Sequence, residues 1–108
     1  MLTFNLKKEW FDKIKSGEKT HEYREEKSYW NRRIFNELLD RAEIENKVIN
    51  ASENLDNVYC FFVCGYAKSN DKNKRLLAKI KSIKIINGKN TDLKIDKPVY
   101  DIEFELIN

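Results

Sequence analysis

The chain has 108 residues, of which 41% are apolar and 36% are charged, and its formal net charge is +3. One compact domain is the usual arrangement at this length, and the apolar fraction excludes an intrinsically disordered chain. No segment approaches the roughly 18 uncharged apolar residues of a membrane helix, and the opening residues run into lysines, unlike a signal peptide. We expect a single cytoplasmic domain over residues 1–108 that does not contact a membrane.

The apolar spacing in the first half of the chain predicts two strands and two helices. Apolar and polar side chains alternate over residues 2–6, which is the period of a half-buried strand. Over residues 6–14 the apolar positions follow the stripe of an amphipathic helix, and Gly17 is suited to end it. A second strand is predicted over 20–24, and a second helix over 28–45.

The second half of the chain predicts three strands. Residues 46–57 include four asparagines and have little periodicity, so we expect a mobile loop there. Residues 58–64 are rich in aromatic and β-branched side chains, which favours a central strand buried on both faces. The apolar positions change parity within a long strand over 74–86, which predicts a β-bulge near Lys81. A last strand begins at Pro98 and runs to residue 106.

The resulting order of elements is β-α-β-α-β-β-β. Helices early in the chain and strands late in it favour an α+β fold over an alternating parallel sheet. We therefore expect a small, curled, mostly antiparallel β-barrel that is flanked by two helices.

One segment, Gly17-Glu18-Lys19-Thr20-His21-Glu22-Tyr23-Arg24, concentrates groups that bind or react. In a strand, Glu22 and Arg24 point to one face, and Lys19 at the preceding turn reaches either face. An amine, a carboxylate and a guanidinium together can bind a phosphate or the edge of a base. If Lys19 loses its proton, it becomes a nucleophile or general base. The same residues also fit a solvated ladder of ion pairs.

Positive charge collects in residues 68–84. They carry seven cations and one anion, a local charge of +6, so that the rest of the chain is net −3. Such asymmetry is typical of a surface that binds a phosphate backbone, and Lys68, Lys79 and Lys81 are its candidate contacts. Lysines on exposed strands also prevent edge-to-edge aggregation, so solubility alone is the alternative.

Aromatic residues near these cations are candidates for base stacking. Tyr66 follows a glycine just past the central strand, and Tyr29 opens the second helix near Arg33, which is a further candidate contact for a nucleic acid or ligand. Trp30 is assigned to the core, because apolar residues four and eight positions later continue its helical stripe.

Several kinds of site lack their signature in the sequence. Cys60 and Cys64 lie about 13 Å apart if their run is a strand, which is too far for a disulfide, so we expect buried free thiols. His21 is the single histidine, which is too few for a zinc site or a catalytic triad. No glycine-rich phosphate loop occurs. We expect no metal and no cofactor.

Five segments of the chain together form a pattern that is found in a known family: the opening segment 2–11, the Gly-x-Lys-x-x-Glu-x-Arg pattern of 17–24, Tyr29-Trp30 followed by Arg33, Gly65-Tyr66-x-Lys68, and the closing strand 99–106. In these segments the chain resembles the ASCH (activating signal cointegrator homology) domain. The resemblance implies a PUA-like barrel with a cleft between barrel and helices. It also implies that Lys19, Glu22 and Arg24 line this cleft, with Tyr66 and Lys68 nearby.

Proteins of this family are regarded as RNA-binding or nucleic-acid-associated. Some resemble amidohydrolases that deacetylate N4-acetylcytidine, and one branch is reported as ribonucleases. The amidohydrolase branch has a threonine three residues after the lysine, where this chain has Glu22. That branch also takes a carboxylate from a helical insert before the last strand, where this chain has only residues 87–97 with Asp92 and Asp96.

Three functions are compatible with the sequence. The first is a module that binds RNA or a nucleotide-like ligand in a cleft lined by Lys19, Glu22 and Arg24. The second is a hydrolase of a modified nucleoside or of RNA, with Lys19 as nucleophile or base. The third is a protein-binding domain that uses the acidic residues of the last strand, Asp101, Glu103 and Glu105. Nothing in the sequence indicates an oligomeric state.

Overall fold

The structure is a computed structural model, and it describes residues 1–39, 51–53, 58–66 and 71–107. In these residues the chain forms the strands β1 (Leu2–Leu6), β2 (His21–Glu25), β3 (Ala51–Glu53), β4 (Tyr59–Cys64), β5 (Arg75–Asn87) and β6 (Pro98–Leu106). Helices α1 (Lys8–Lys15) and α2 (Ser28–Leu39) follow β1 and β2, and short 3-10 turns at Lys72–Lys74 and Gly88–Asn90 precede and follow β5. No helix in the described ranges is long and apolar enough to cross a membrane.

The strands form one sheet with the main order β1-β4-β5-β6-β2. β1 and β4 are parallel, and the other described pairs are antiparallel. β5 is central, because β6 pairs along one of its sides while β4 and then β3 pair along the other. The sheet curls into a half-barrel against the two helices. The predicted α+β fold with a curled, mostly antiparallel sheet is confirmed.

A β-bulge bends β5 where its apolar positions change parity. The pairing with β6 shifts register between Ile80 and Ser82, which leaves Lys81 as the extra residue. Ala78 and Ile80 are buried before the bulge, and Ile83 is buried after it. The extra residue therefore lets both halves of the strand turn apolar side chains toward the core. The bulge predicted near Lys81 is confirmed.

The short strand β3 corrects the predicted loop over 46–57. Its three residues pair antiparallel with β5, with Ser52 opposite Ile83. A strand this short, without alternating apolar residues, has no period that a sequence pattern can detect, and its place depends on the partner strand. The rest of the predicted loop, and the predicted end of the second helix near residue 45, lie outside the described residues.

The core lies between the sheet and the two helices. Phe4 on β1 is fully buried and stacks on Trp30 of α2 at 5.2 Å and on Phe62 of β4 at 5.6 Å between ring centroids. Ile14 of α1 and Ile34 of α2 are also fully buried. Each such side chain contributes roughly 1.5–3 kcal/mol when it leaves water. These contacts fix both helices against β1 and β4, and they confirm that Trp30 belongs to the core.

Both cysteines are free thiols, as predicted. Cys60 is fully buried on β4, and this burial, together with the negative charges of Glu22 and Glu37, raises the pKa of its thiol to about 12. Cys64 at the end of the same strand is only partly buried. The prediction of buried thiols is therefore confirmed for Cys60, whereas Cys64 is only partly buried.

Candidate functional site

The predicted binding motif lies on β2, an outer strand of the sheet, and on the turn before it. Glu22 and Arg24 share one face of the strand, as the alternation requires. The turn passes through Gly17, whose φ of 85° is accessible to glycine without steric cost. The Lys19 amide then donates to the Lys13 carbonyl at 3.0 Å. This turn returns the chain from α1 and sets the Lys19 side chain beside Glu22.

Glu22 is a buried carboxylate, only 5% exposed. Its Oε2 atom accepts two hydrogen bonds from Arg24, from Nε at 3.1 Å and from Nη2 at 2.7 Å. Its Oε1 atom lies 3.6 Å from the Lys19 ammonium nitrogen. A carboxylate out of water needs such partners to compensate for lost hydration. Arg24 and Lys19 therefore hold Glu22 in one position.

Lys19 joins this strand to a distant loop. Its side chain is 9% exposed, and its ammonium contacts the carboxylate of Asp92 on the loop that follows the Gly88–Asn90 turn. The ammonium also lies 5.3 Å from the ring centre of Trp10 and 5.1 Å from that of Tyr23. Ion pairing and cation–π attraction both stabilise a positive charge at this place.

Arg24 lies against two aromatic rings that also stack on each other. Its Cζ atom lies 5.3 Å from the ring centre of Phe4 and 5.1 Å from that of Trp30. Its Nη2 atom also donates to the backbone carbonyl of Asn5 on β1 at 3.1 Å. Three hydrogen bonds thus engage its Nε and Nη2 atoms. Arg24 positions Glu22 and leaves only its Nη1 group for a ligand.

These side chains line a cleft of about 440 Å³. Small-molecule sites usually measure about 300–1,000 Å³, so the cleft is large enough for a ligand of nucleoside size. Both tryptophans of the chain, Trp10 and Trp30, line it together with Tyr23. Its charged lining residues are Lys7, Lys19, Glu22, Arg24, Glu25, Lys27 and Asp92.

The paired groups of the cleft carry no net charge. Two cations, Lys19 and Arg24, contact two carboxylates, Glu22 and Asp92. A phosphate entering here would meet both carboxylates, which repel it. A neutral planar group with donors and acceptors on its edge would instead find N–H groups and carboxylate oxygens side by side, with aromatic rings to stack on. The arrangement therefore suits a base better than a phosphate.

Two predicted binding residues lie close to the cleft but do not line it in the described structure. Arg33 on α2 stacks over Tyr29 at 5.4 Å and over Trp30 at 5.8 Å, measured from its Cζ atom. Tyr66 is 92% exposed, and the residue before it donates its amide to the carbonyl of Leu6 at 2.9 Å. Because Leu6 lines the cleft, Tyr66 lies just beyond the rim.

Acidic residues of β6 lie next to two of the candidate contacts on the predicted basic surface. Lys68 lies outside the described residues. Lys79 is directly opposite Glu105 in the β5–β6 pairing, so that their side chains share a face. Lys81 is exposed at the bulge and lines a separate hollow together with Glu103 and Glu105. Acidic residues of β6 thus compensate this part of the cluster, which the local charge of the sequence segment does not reveal.

His21 has a carboxylate partner that the sequence did not indicate. Its Nδ1 atom lies 2.7 Å from Oδ1 of Asp101 on β6, and its ring stacks on Tyr23 at 6.3 Å. Burial, followed by the charges of Asp101, Asp92 and Glu22, raises the pKa of Tyr23 above its ordinary value. Oε2 of Glu103 lies 3.9 Å from Nε2 of the same ring, so two residues of the predicted acidic face, Asp101 and Glu103, contact His21.

No family model, no curated protein and no solved structure matches the chain. Within the described residues, no group of three or more His, Cys, Asp or Glu side chains is placed to hold a metal ion. The ASCH resemblance stays a prediction, and the function is inferred from the cleft itself.

Three cleft residues were not among the candidates that the sequence indicates. Asp92 is one of two acids in segment 87–97, and the other, Asp96, accepts a hydrogen bond from Asn87 at 2.9 Å instead. Trp10 shows only the stripe of an amphipathic helix, and Tyr23 alternates away from Glu22 on β2. No local sequence pattern identifies these three residues, because they lie on separate elements and meet around the Lys19 side chain.

Proposed function

We propose that the protein is a small ASCH-like module that binds RNA or a nucleotide-like ligand, with a base in the cleft lined by Lys19, Glu22 and Arg24. One observation carries this proposal: an amine, a carboxylate and a guanidinium from one motif line the same cleft as both tryptophans. Fixed polar groups set between aromatic walls are the chemistry by which proteins hold single bases.

Each part of the cleft has a role in the proposed complex. The Lys19 ammonium lies over the rings of Trp10 and Tyr23, and a base stacks on one of them when this ammonium turns to the edge of the base. Such stacking contributes roughly 1–3 kcal/mol per base in proteins that bind single strands. Lys19 donates to a ring nitrogen or carbonyl of the base. The Oε1 atom of Glu22 and the carboxylate of Asp92 accept from its amino or imino groups. Arg24 fixes the Glu22 carboxylate in place.

A titration with nucleosides tests the proposal, because both tryptophans line the cleft and intrinsic fluorescence reports on it. We expect saturable quenching by at least one of the four common ribonucleosides. Glu22→Gln and Lys19→Met should each weaken binding about tenfold, the effect of losing about 1.4 kcal/mol. Lys79→Met is the matched control, since that lysine faces Glu105 away from the cleft. Unchanged fluorescence with every nucleoside would contradict the proposal.

A hydrolase is the second candidate, and the contact between Lys19 and Asp92 is the observation that favours it. The contact supplies a carboxylate from the segment before the last strand, where the amidohydrolase branch has its own. Lys19 would act as nucleophile or base, which requires the neutral amine. Two carboxylates stabilise the cation instead, so binding is the better-supported function. If the protein turns over N4-acetylcytidine or RNA and Lys19→Ala abolishes this turnover, the hydrolase becomes the better-supported function.

A further inference from the structure

The residues just after β4 and around the start of β5 include an exposed ring and three cations. Tyr66 is 92% exposed. Lys72 and Lys74 are exposed on the 3-10 turn before β5, and Arg75 is the first residue of that strand. Within the described parts of the chain, none of these three cations forms an ion pair with a carboxylate. Asp71 is the one acid beside them in sequence.

These cations differ from the remaining members of the basic cluster. Lys79 is opposite Glu105, and Lys84 is opposite Asp101, across the β5–β6 pairing. Directly opposed charges on neighbouring strands attract each other and reduce the local potential. Among the described cations of segment 68–84, Lys72, Lys74 and Arg75 therefore keep their charge uncompensated, and they lie at the end of the sheet where β5 begins.

This end of the sheet adjoins the rim of the cleft. β1 and β4 run parallel, with Leu6 opposite Cys64, and the Gly65 amide donates to the Leu6 carbonyl at 2.9 Å. Leu6 and Lys7 both line the cleft. Lys7 is exposed, and no carboxylate in the described structure pairs with it. Lys7 and Tyr66 thus follow two strands that end side by side.

We propose that a single RNA strand with one base in the cleft continues past Tyr66 to the 3-10 turn at Lys72–Lys74. A neighbouring base stacks on Tyr66, and phosphates contact Lys7, Lys72 and Lys74. This inference rests on the proposed function and specifies its ligand as a polynucleotide. The strand is single because a base inside a duplex cannot reach the cleft. The paired charges of the cleft contact the base, while Lys7 at its edge and the cations beyond it contact the backbone.

Arg75 stabilises the fold and is not one of the proposed phosphate contacts. Its Cζ atom lies 4.6 Å from the ring centre of Phe61 on β4. A substitution of Arg75 would disturb that contact as well as the charge. Lys72 and Lys74 have exposed side chains on a short turn, so they can be changed without altering the sheet.

The test measures the affinity of a labelled single-stranded RNA, roughly eight nucleotides long to match one small domain, at several salt concentrations. Each phosphate contact adds about 0.7 to the slope of log affinity against log salt for single strands. The double variant Lys72→Ala/Lys74→Ala should therefore lower this slope by about 1.4. Tyr66→Ala should weaken binding about tenfold at every salt concentration. Lys79→Ala is the control and should leave the slope unchanged.

Three results would overturn the inference. The first is a slope of log affinity against log salt that is the same in Lys72→Ala/Lys74→Ala as in the unchanged protein. The second is an equal decrease of this slope in Lys79→Ala, which would place the phosphate contacts on the face that β5 and β6 share. The third is equal competition by poly-glutamate, which would indicate a general preference for polyanions or acidic proteins.

The two proposals fail in different ways. Nucleosides that bind the cleft as tightly as the RNA would end the inference and leave the proposed function standing. RNA binding that depends on Lys72 and Lys74 but is unchanged in Glu22→Gln would contradict the proposed function while retaining the backbone contacts.

Discussion

Arg24 on β2 donates a hydrogen bond to the backbone carbonyl of Asn5 on β1 at 3.1 Å, and it thereby joins the two strands at opposite ends of the sheet order. The half-barrel leaves a gap between these strands, and a side chain spans it where a closed barrel would have a ladder of backbone bonds. The cleft lies along this gap, since residues of both strands line it. Arg24 therefore sets the width of the site as well as the position of Glu22.

Replacing Arg24 by alanine should lower the free energy of unfolding by about 2–3 kcal/mol. The loss arises because Glu22 would stay buried without its two hydrogen bonds. Urea denaturation at neutral pH measures the effect. Arg32→Ala is the matched control, because Arg32 is an exposed arginine on α2 and its replacement should change stability by less than about 0.5 kcal/mol.

The same mechanism can be checked with a double variant. If the loss arises because the buried Glu22 charge keeps only its contact with Lys19, Glu22→Gln/Arg24→Ala should be more stable than Arg24→Ala alone, because the amide needs no counter-ion. A double variant whose loss equals the sum of the single losses would show that the two side chains act independently.

Gly88→Ala should destabilise the domain and weaken nucleoside binding together. A Cβ atom at this position would lie 2.6 Å from Cγ1 of Val99 and 2.9 Å from the carbonyl oxygen of Ile95, so the chain must shift. Overpacking of this kind costs about 1–3 kcal/mol, and Asp92 lies on the segment that would move. Thermal unfolding and the fluorescence titration measure both effects. Asn90→Ala, at an exposed position of the same turn, should change neither.

Stability should fall in alkali partly because of Cys60. The pKa of its thiol is about 12 in the folded chain, against an ordinary value of 9.0. Above pH 9 the unfolded chain loses this proton while the folded chain keeps it, so the free energy of unfolding decreases as pH rises. Near pH 10 this decrease is about 1.4 kcal/mol. Urea denaturation near pH 8 and pH 10 should show a smaller decrease for Cys60→Val, and an identical decrease would refute the assignment.

Much of the fold was predictable from the sequence because period and parity are local properties. The change of parity within β5 indicated the bulge at Lys81, and the alternation from Tyr100 to Leu106 indicated β6. β3 was not predictable, because three residues without apolar alternation acquire their conformation from β5. The loop prediction over 46–57 was therefore wrong at residues 51–53, whose conformation depends on the partner strand.

The candidate site was predictable only where its residues are close in sequence. Glu22 and Arg24 share a face because they are two positions apart on a strand. Asp92 reaches Lys19 from a position 73 residues later, and no spacing rule anticipates that contact. The pairing of Lys79 with Glu105 was not predictable for the same reason, since Glu105 lies on another strand.

The most direct test of the central claim is an amide and indole ¹H–¹⁵N spectrum recorded during titration with the nucleoside that quenches fluorescence most. We expect the indole signals of Trp10 and Trp30 and the amides of Glu22 to Arg24 to shift together with one dissociation constant, because all of them border the cleft. Shifts confined to residues outside the cleft, or no shifts at millimolar nucleoside, would contradict the claim that this cleft binds a base.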